Sequence, residues 1–70
     1  MILKNRLKRY RFENDQVTQA QLAKSLEVSR QTIIAIENGR FNPSVKLALK
    51  MSAFFKCRVE NLFYLTEDEI

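Results

Sequence analysis

The stretch from Thr18 to Gly39, TQAQLAKSLEVSRQTIIAIENG, constrains this chain more than any other, because its apolar residues form two helix-length groups with three residues between them. In the second group, predicted to be a helix over Arg30–Glu37, a turn of about 100° per residue sends Ile33 and Ile36 one way. Arg30, Gln31, Ile34, Ala35 and Asn38 fan out on the opposite side. One face must be buried, and the other is left for a partner. In the first group, Gln19–Leu26, the apolar face is Leu22, Ala23 and Leu26, with Gln21, Lys24 and Ser25 opposite. A small residue at Ala23 lets the next helix cross closely, as two helices joined at a steep angle by a three- or four-residue turn require. In that turn, Glu27-Val28-Ser29, Val28 plugs the angle and Ser29 caps the following helix. Thr18 caps the first helix, Val17 before it forms a hydrophobic staple, and Asn38-Gly39 ends the second helix in a left-handed C-cap.

Size allows little beside this unit. Seventy residues read as one domain, 1–70, and a chain so short buries only about 60% of the surface its unfolded form exposes, so dimerisation would help it. With 46% hydrophobic residues, one Gly and one Pro, the chain is too apolar and too poor in loop formers to stay disordered. The net charge of +4 favours a polyanionic partner without identifying one. Lys4, Arg6, Lys8, Arg9 and Arg11 precede any acid, whereas Glu67, Asp68 and Glu69 close the sequence; if DNA is the partner, that acidic tail should face away from it. For most of the early basic residues a solvated face is the simpler expectation.

There is no His and only one Cys, Cys57, which excludes a zinc finger, a His-based triad and an internal disulfide. Its apolar neighbours predict a buried structural thiol. No apolar run approaches the length of a membrane span, and MILKNRLKRY lacks the apolar core of a signal peptide, so the expectation is a cytoplasmic protein with no membrane partner.

The remaining elements frame the central pair. A first helix from about Asn5 to Asn14, capped by Asn5, has Leu7, Tyr10 and Phe12 as candidate apolar contacts. Arg11 falls at its inner edge, where a lone charge is expensive, and Glu37 is the proposed partner. Ser44 caps a fourth helix, Val45–Phe55, with Val45, Ala48, Met51, Ser52 and Phe55 as the inner stripe; Leu47, Leu49 and Phe54 are surplus, and Phe54 is open to either core or interface. A short fifth helix spans Val59 to Phe63, with Arg58 a poor cap. Phe63-Tyr64-Leu65-Thr66 is rich in strand formers and predicts an antiparallel pairing with Met1–Leu3.

Taken together, TQAQLAKSLEVSRQTIIAIENG followed by FNPS and LALK resembles the phage-repressor or Xre family of Cro/CI-type helix-turn-helix proteins over nearly the whole chain. The resemblance implies a mainly α fold, a five-helix repressor-like domain with a small two-stranded antiparallel sheet from the two termini. It implies a homodimer that represses transcription by occupying a palindromic operator in double-stranded DNA; apart from the resemblance, a chain this short leaves no room for a ligand pocket beside its core, so no cofactor, metal or small-molecule ligand is expected. Position by position, Gln19 matches a phosphate-touching glutamine that also buttresses a side chain of the reading helix. Arg30 and Gln31 match residues facing base edges or nearby phosphates, where Arg pairs with guanine and Gln with adenine. Ile34 and Ala35 face the groove, Thr32 stands at its edge, and Ser29, Asn38 and Arg40 match phosphate contacts that set register. Capping alone is the structural alternative for Ser29, and helix termination for Asn38. Arg11 and Glu37 match a structural ion pair, although the segment from Arg11 to Gln19 is one residue longer than the common pattern. Family turns often carry Gly where this chain has Glu27, so a left-handed residue with a side chain is expected there.

A single reading helix covers too few base pairs to find one site in a genome, whereas two related by a twofold axis read half-sites about 34 Å apart. The expected dimer surface is Phe54, Val59, Leu62, Phe63, Tyr64 and Leu65. A protein-interaction module of the antitoxin type, with operator binding secondary, is the competing class, and no segment gathers carboxylates and lysines into an enzyme pocket.

Overall fold

The computed structural model describes residues 1–67, in the order β1 (Ile2–Asn5), α1 (Leu7–Glu13), α2 (Gln19–Leu26), α3 (Arg30–Glu37), α4 (Val45–Phe55), α5 (Val59–Leu62) and β2 (Phe63–Thr66). Each of the five helices sends apolar side chains into one core: Leu7 from α1, Leu22, Ala23 and Leu26 from α2, Ile33 and Ile36 from α3, Leu47, Met51 and Phe55 from α4, and Leu62 from α5. Val17 and Val28 pack on its margin, at the staple and turn positions. The fold is mainly α with a two-stranded antiparallel sheet, as the resemblance implied.

Capping explains why the helices start where they do. The hydroxyls of Thr18, Ser29 and Ser44 accept the N–H groups of Gln21, Thr32 and Leu47 at 3.0, 3.1 and 3.1 Å. At Thr18 the box is reciprocal, the Gln21 side chain accepting the Thr18 N–H at 2.9 Å. Arg58 offers no side-chain cap, and its N–H instead donates to the Asn61 side chain at 3.0 Å. Three helices end on left-handed residues, Glu27 (φ 63°), Gly39 (φ 77°) and Lys56 (φ 54°). At all three the next residue's N–H reaches back to close the turn: Val28 to Ala23 O, Arg40 to Ala35 O, Cys57 to Ser52 O.

Several expectations are corrected. The first strand is Ile2–Asn5, not Met1–Leu3, in a register running from Ile2 opposite Thr66 to Asn5 opposite Phe63. Extended pairing therefore holds Asn5 in the sheet, and α1 starts at Leu7, whose N–H still donates to Asn5 Oδ1 at 3.1 Å. Phe63 opens β2 and does not end α5. Phe12 is exposed, because with Leu7 and Tyr10 turned inward the helical period gives the inner face to Arg11. On α4 the buried series is Leu47, Met51, Phe55, while Val45 is 77% exposed. Val45 is the first helical residue, and Leu47, about 200° round the helix from it, falls on the face shared with Met51 and Phe55. Ala48 and Ser52 are partly buried. Leu62, expected on a dimer surface, is fully buried in its own subunit. Asp68 and Glu69 lie outside the described residues.

Candidate nucleic-acid interface

The α2–α3 unit is clamped from behind by one buried cluster. Arg11 Nε and Nη2 donate to Glu37 Oε2 and Oε1 at 2.6 and 3.1 Å, and Arg11 Nη1 donates to the Val17 carbonyl at 2.9 Å. Gln19 Nε2 donates to the same Glu37 Oε1 at 3.1 Å. The two charged side chains are only 9% and 6% exposed. One carboxylate thus ties the last residue of α3 to the first residue of α2 and to α1. Between Arg11 and Gln19 the chain turns through consecutive left-handed residues, Asp15 (φ 59°) and Gln16 (φ 54°), after which the Val17 N–H returns to Arg11 O at 3.1 Å.

The opposite side of α3 is open. Ile33 and Ile36 are 0% and 1% exposed, whereas Arg30, Gln31 and Asn38 are exposed and Ile34 and Ala35 are partly buried between them. Gln31 and Asn38 are two turns apart and mark the centre line of this face. Thr32, at its edge, is partly buried and shares a 2.9 Å hydroxyl contact with Ser29. Ser29 therefore does cap its helix, while its own surface stays exposed. Arg40 follows the left-handed Gly39 and is exposed beside the end of α3. At the other end, Thr18, Gln19 and Arg30 share the rim of an open hollow with Gln16 and Phe12. All nine residues assigned to the reading surface lie on α3, at its two ends, or at the start of α2.

The charge on this side is favourable for a polyanion. Glu37, at the end of α3, is paired from behind with Arg11 and its side chain is only 6% exposed. Glu27 in the turn is highly exposed, 3.6 Å from Lys50, and Lys50 also donates to the Leu26 carbonyl at 2.8 Å. Cys57 is partly buried on the core margin, and burial pushes its thiol up from the ordinary value.

At the far side, Leu65 is 60% and Phe54 37% exposed, while Val59, Phe63 and Tyr64 are partly buried. The Phe54 ring meets Phe55 edge-on at 4.9 Å, and the Arg6 guanidinium sits 4.1 Å from the Tyr64 ring centroid. Sequence reasoning gave Asn5 a capping role and missed its second bond, from Nδ2 to the Ile36 carbonyl at 2.9 Å. No local pattern announces a contact between residues so far apart in sequence. Among the described residues, no helix is long and apolar enough to cross a membrane.

A helix-turn-helix family profile matches residues 8–62. The chain is 52% identical over 67 residues to an uncharacterized HTH-type transcriptional regulator of Methanocaldococcus jannaschii, covering 96% of this chain and 100% of that one. A second such regulator, from Archaeoglobus fulgidus, is 38% identical over 68 residues, 97% and 94% of the two chains. YgzD of Bacillus subtilis, also described as an uncharacterized HTH-type transcriptional regulator, is 38% identical over 66 residues, 94% and 98% of the two chains. Among solved structures, a proposed DNA-binding protein of Bacteroides fragilis superposes with a TM-score of 0.80 over 90% of this chain and 100% of that one. At 22% identity, that last likeness speaks for the fold alone.

Proposed function

The chain belongs to the helix-turn-helix family of phage-repressor or Xre (Cro/CI) type, a family of DNA-binding transcriptional regulators, and on that premise we propose that it is a homodimeric repressor of the cytoplasm that occupies a palindromic operator through the major groove. In this reading the DNA-binding activity belongs to the helix-turn-helix domain that the family profile matches over residues 8–62. The observation that supports this reading best is the division of α3, with Ile33 and Ile36 at 0% and 1% exposure on one side and an uncovered Arg30–Gln31–Asn38 face on the other.

Roles divide by chemistry. Arg30 and Gln31 present forked and amide groups to base edges, each good pair being worth about 1–3 kcal/mol of discrimination. Ile34 and Ala35 meet thymine methyls, and Thr32 borders them. Gln19, Ser29, Asn38 and Arg40 hold phosphates and set register without reading sequence. Two subunits meet through Phe54, Val59, Phe63, Tyr64 and Leu65, so that their α3 helices enter successive major grooves about 34 Å apart.

The test is a gel-shift titration against a palindromic fragment from upstream of the protein's own gene, with competitor DNA and at two salt concentrations. Specific binding persists over competitor and weakens steeply with salt as counterions are released. Gln31→Ala relaxes sequence preference, whereas Arg40→Ala weakens all sequences alike. Equal loss of preference from both variants would contradict the division of roles.

A further inference from the structure

We propose that Asn5 is a positioning residue for DNA binding, a tether that sets the aim of the reading helix relative to the terminal ribbon and so fixes the half-site spacing the dimer accepts. The inference rests on the regulator reading above, and it assigns a role to a side chain that touches no DNA.

Asn5 is the last residue of β1, opposite Phe63 of β2. Its Oδ1 accepts the Leu7 N–H at 3.1 Å, and its Nδ2 donates to the Ile36 carbonyl at 2.9 Å. One planar amide therefore joins the ribbon, the first turn of α1 and the last turn of α3. Beside this bond the two elements border an open cleft lined by Ile2, Leu3, Lys4 and Asn5 of β1 and by Glu37, Asn38 and Gly39 at the end of α3. The ribbon carries Tyr64 and Leu65 of the proposed dimer surface, and α3 carries the reading face. Any tilt between them becomes an error in the distance and rotation separating the two reading helices. The tether is not needed to satisfy the carbonyl, because Ile36 O already accepts the Gly39 N–H at 3.0 Å. Removing the Nδ2 donor alone thus frees the angle without orphaning the Ile36 carbonyl, provided an oxygen is kept for the Leu7 N–H.

The experiment measures affinity for duplexes bearing two copies of a half-site selected from random DNA, at the selected spacing and with base pairs added or removed at the centre. Each added pair rotates one half-site by roughly 34–36° against the other. Asn5→Asp keeps an oxygen for the Leu7 N–H and lacks the donor to Ile36; Asn5→Ser replaces the amide with a hydroxyl one bond shorter, which gives up the reach to Ile36 O without adding charge. The wild-type chain should lose about tenfold or more per added pair, the size of a mismatched base pair's penalty. Both variants should bind the preferred spacing several-fold more weakly, as preorganisation is lost. They should lose less than about threefold per added pair, with the penalty for a wrong base inside the half-site unchanged.

Spacing discrimination as steep in the variants as in the wild type would overturn the proposal. So would a flattening accompanied by lost base preference, or failure of both variants to fold in a urea titration, since either makes Asn5 a general structural residue. A wild-type chain that selects no half-site refutes the regulator reading itself, and the tether falls with it.

Discussion

Replacing Glu37 by alanine removes the acceptor for three donors at once, Arg11 Nε, Arg11 Nη2 and Gln19 Nε2. The Arg11 side chain, 9% exposed, then keeps the Val17 carbonyl as its one hydrogen-bond partner among the described residues. Breaking a buried ion pair from one side costs about 3–5 kcal/mol, because the surviving charge is left desolvated. A domain of this size holds roughly 4–10 kcal/mol in total, at 0.05–0.15 kcal/mol per residue. The variant should therefore lose from about a third to all of its stability. With a urea m-value of about 1 kcal/mol/M, the far-UV circular dichroism midpoint falls by about 3 M or more. The double variant Arg11→Met/Glu37→Leu should recover most of that loss, since an apolar pair of similar volume needs no desolvation. A loss below about 1 kcal/mol from Glu37→Ala would be the value of an exposed pair. It would refute the claim that this cluster is sealed from water, and with it the argument that Glu37 is silent toward phosphate.

Three further outcomes follow from named positions. Glu27→Gly should raise stability by about 1 kcal/mol, because a side chain in left-handed backbone costs 1–2 kcal/mol and glycine returns part of that as unfolded-state entropy; at this size the melting temperature rises by about 4–8 °C, and no rise would mean that Glu27 is unstrained. Leu65→Lys changes a residue that is 60% exposed, so sedimentation should show a monomer with unchanged helix content if β2 carries the dimer contact, and an intact dimer would move that contact elsewhere. Burial raises the Cys57 thiol above its ordinary value, so iodoacetamide should label it more slowly than a peptide thiol at about pH 8 and urea should abolish the difference. The sign for stability is the same: the contribution is full below the unfolded thiol's pKa and is lost as pH rises through the higher folded one.

The central unit was legible in the sequence because its boundaries are written in local chemistry. Thr18, Ser29 and Ser44 cap helices, and their bonds to Gln21, Thr32 and Leu47 need no information from outside four residues. The left-handed turn at Glu27 was likewise readable, through the resemblance of its neighbours. What was not legible depends on distant or undifferentiated contacts. Between Val45 and Phe55 apolar residues occupy most positions, so periodicity cannot choose the Leu47–Met51–Phe55 series over one beginning at Val45. Leu62 and Leu65 are chemically alike, yet one is core and the other surface, because a helix end and a strand lie between them.

For the candidate site the division falls differently, and Glu37 shows why. On a helix wheel it flanks the reading face, where a free acid would oppose every phosphate the basic residues attract. Only the fold resolves the conflict, by placing Arg11 of α1 behind it at 2.6 Å and Gln19 of α2 beside it at 3.1 Å. The same bonds that bury the charge fix the angle between α2 and α3. The electrostatics of the reading surface and the geometry of the helix pair are therefore one device. On the proposed reading, a substitution at the buried Arg11 should disturb both together, lowering affinity for every sequence while leaving the preference among bases to Gln31.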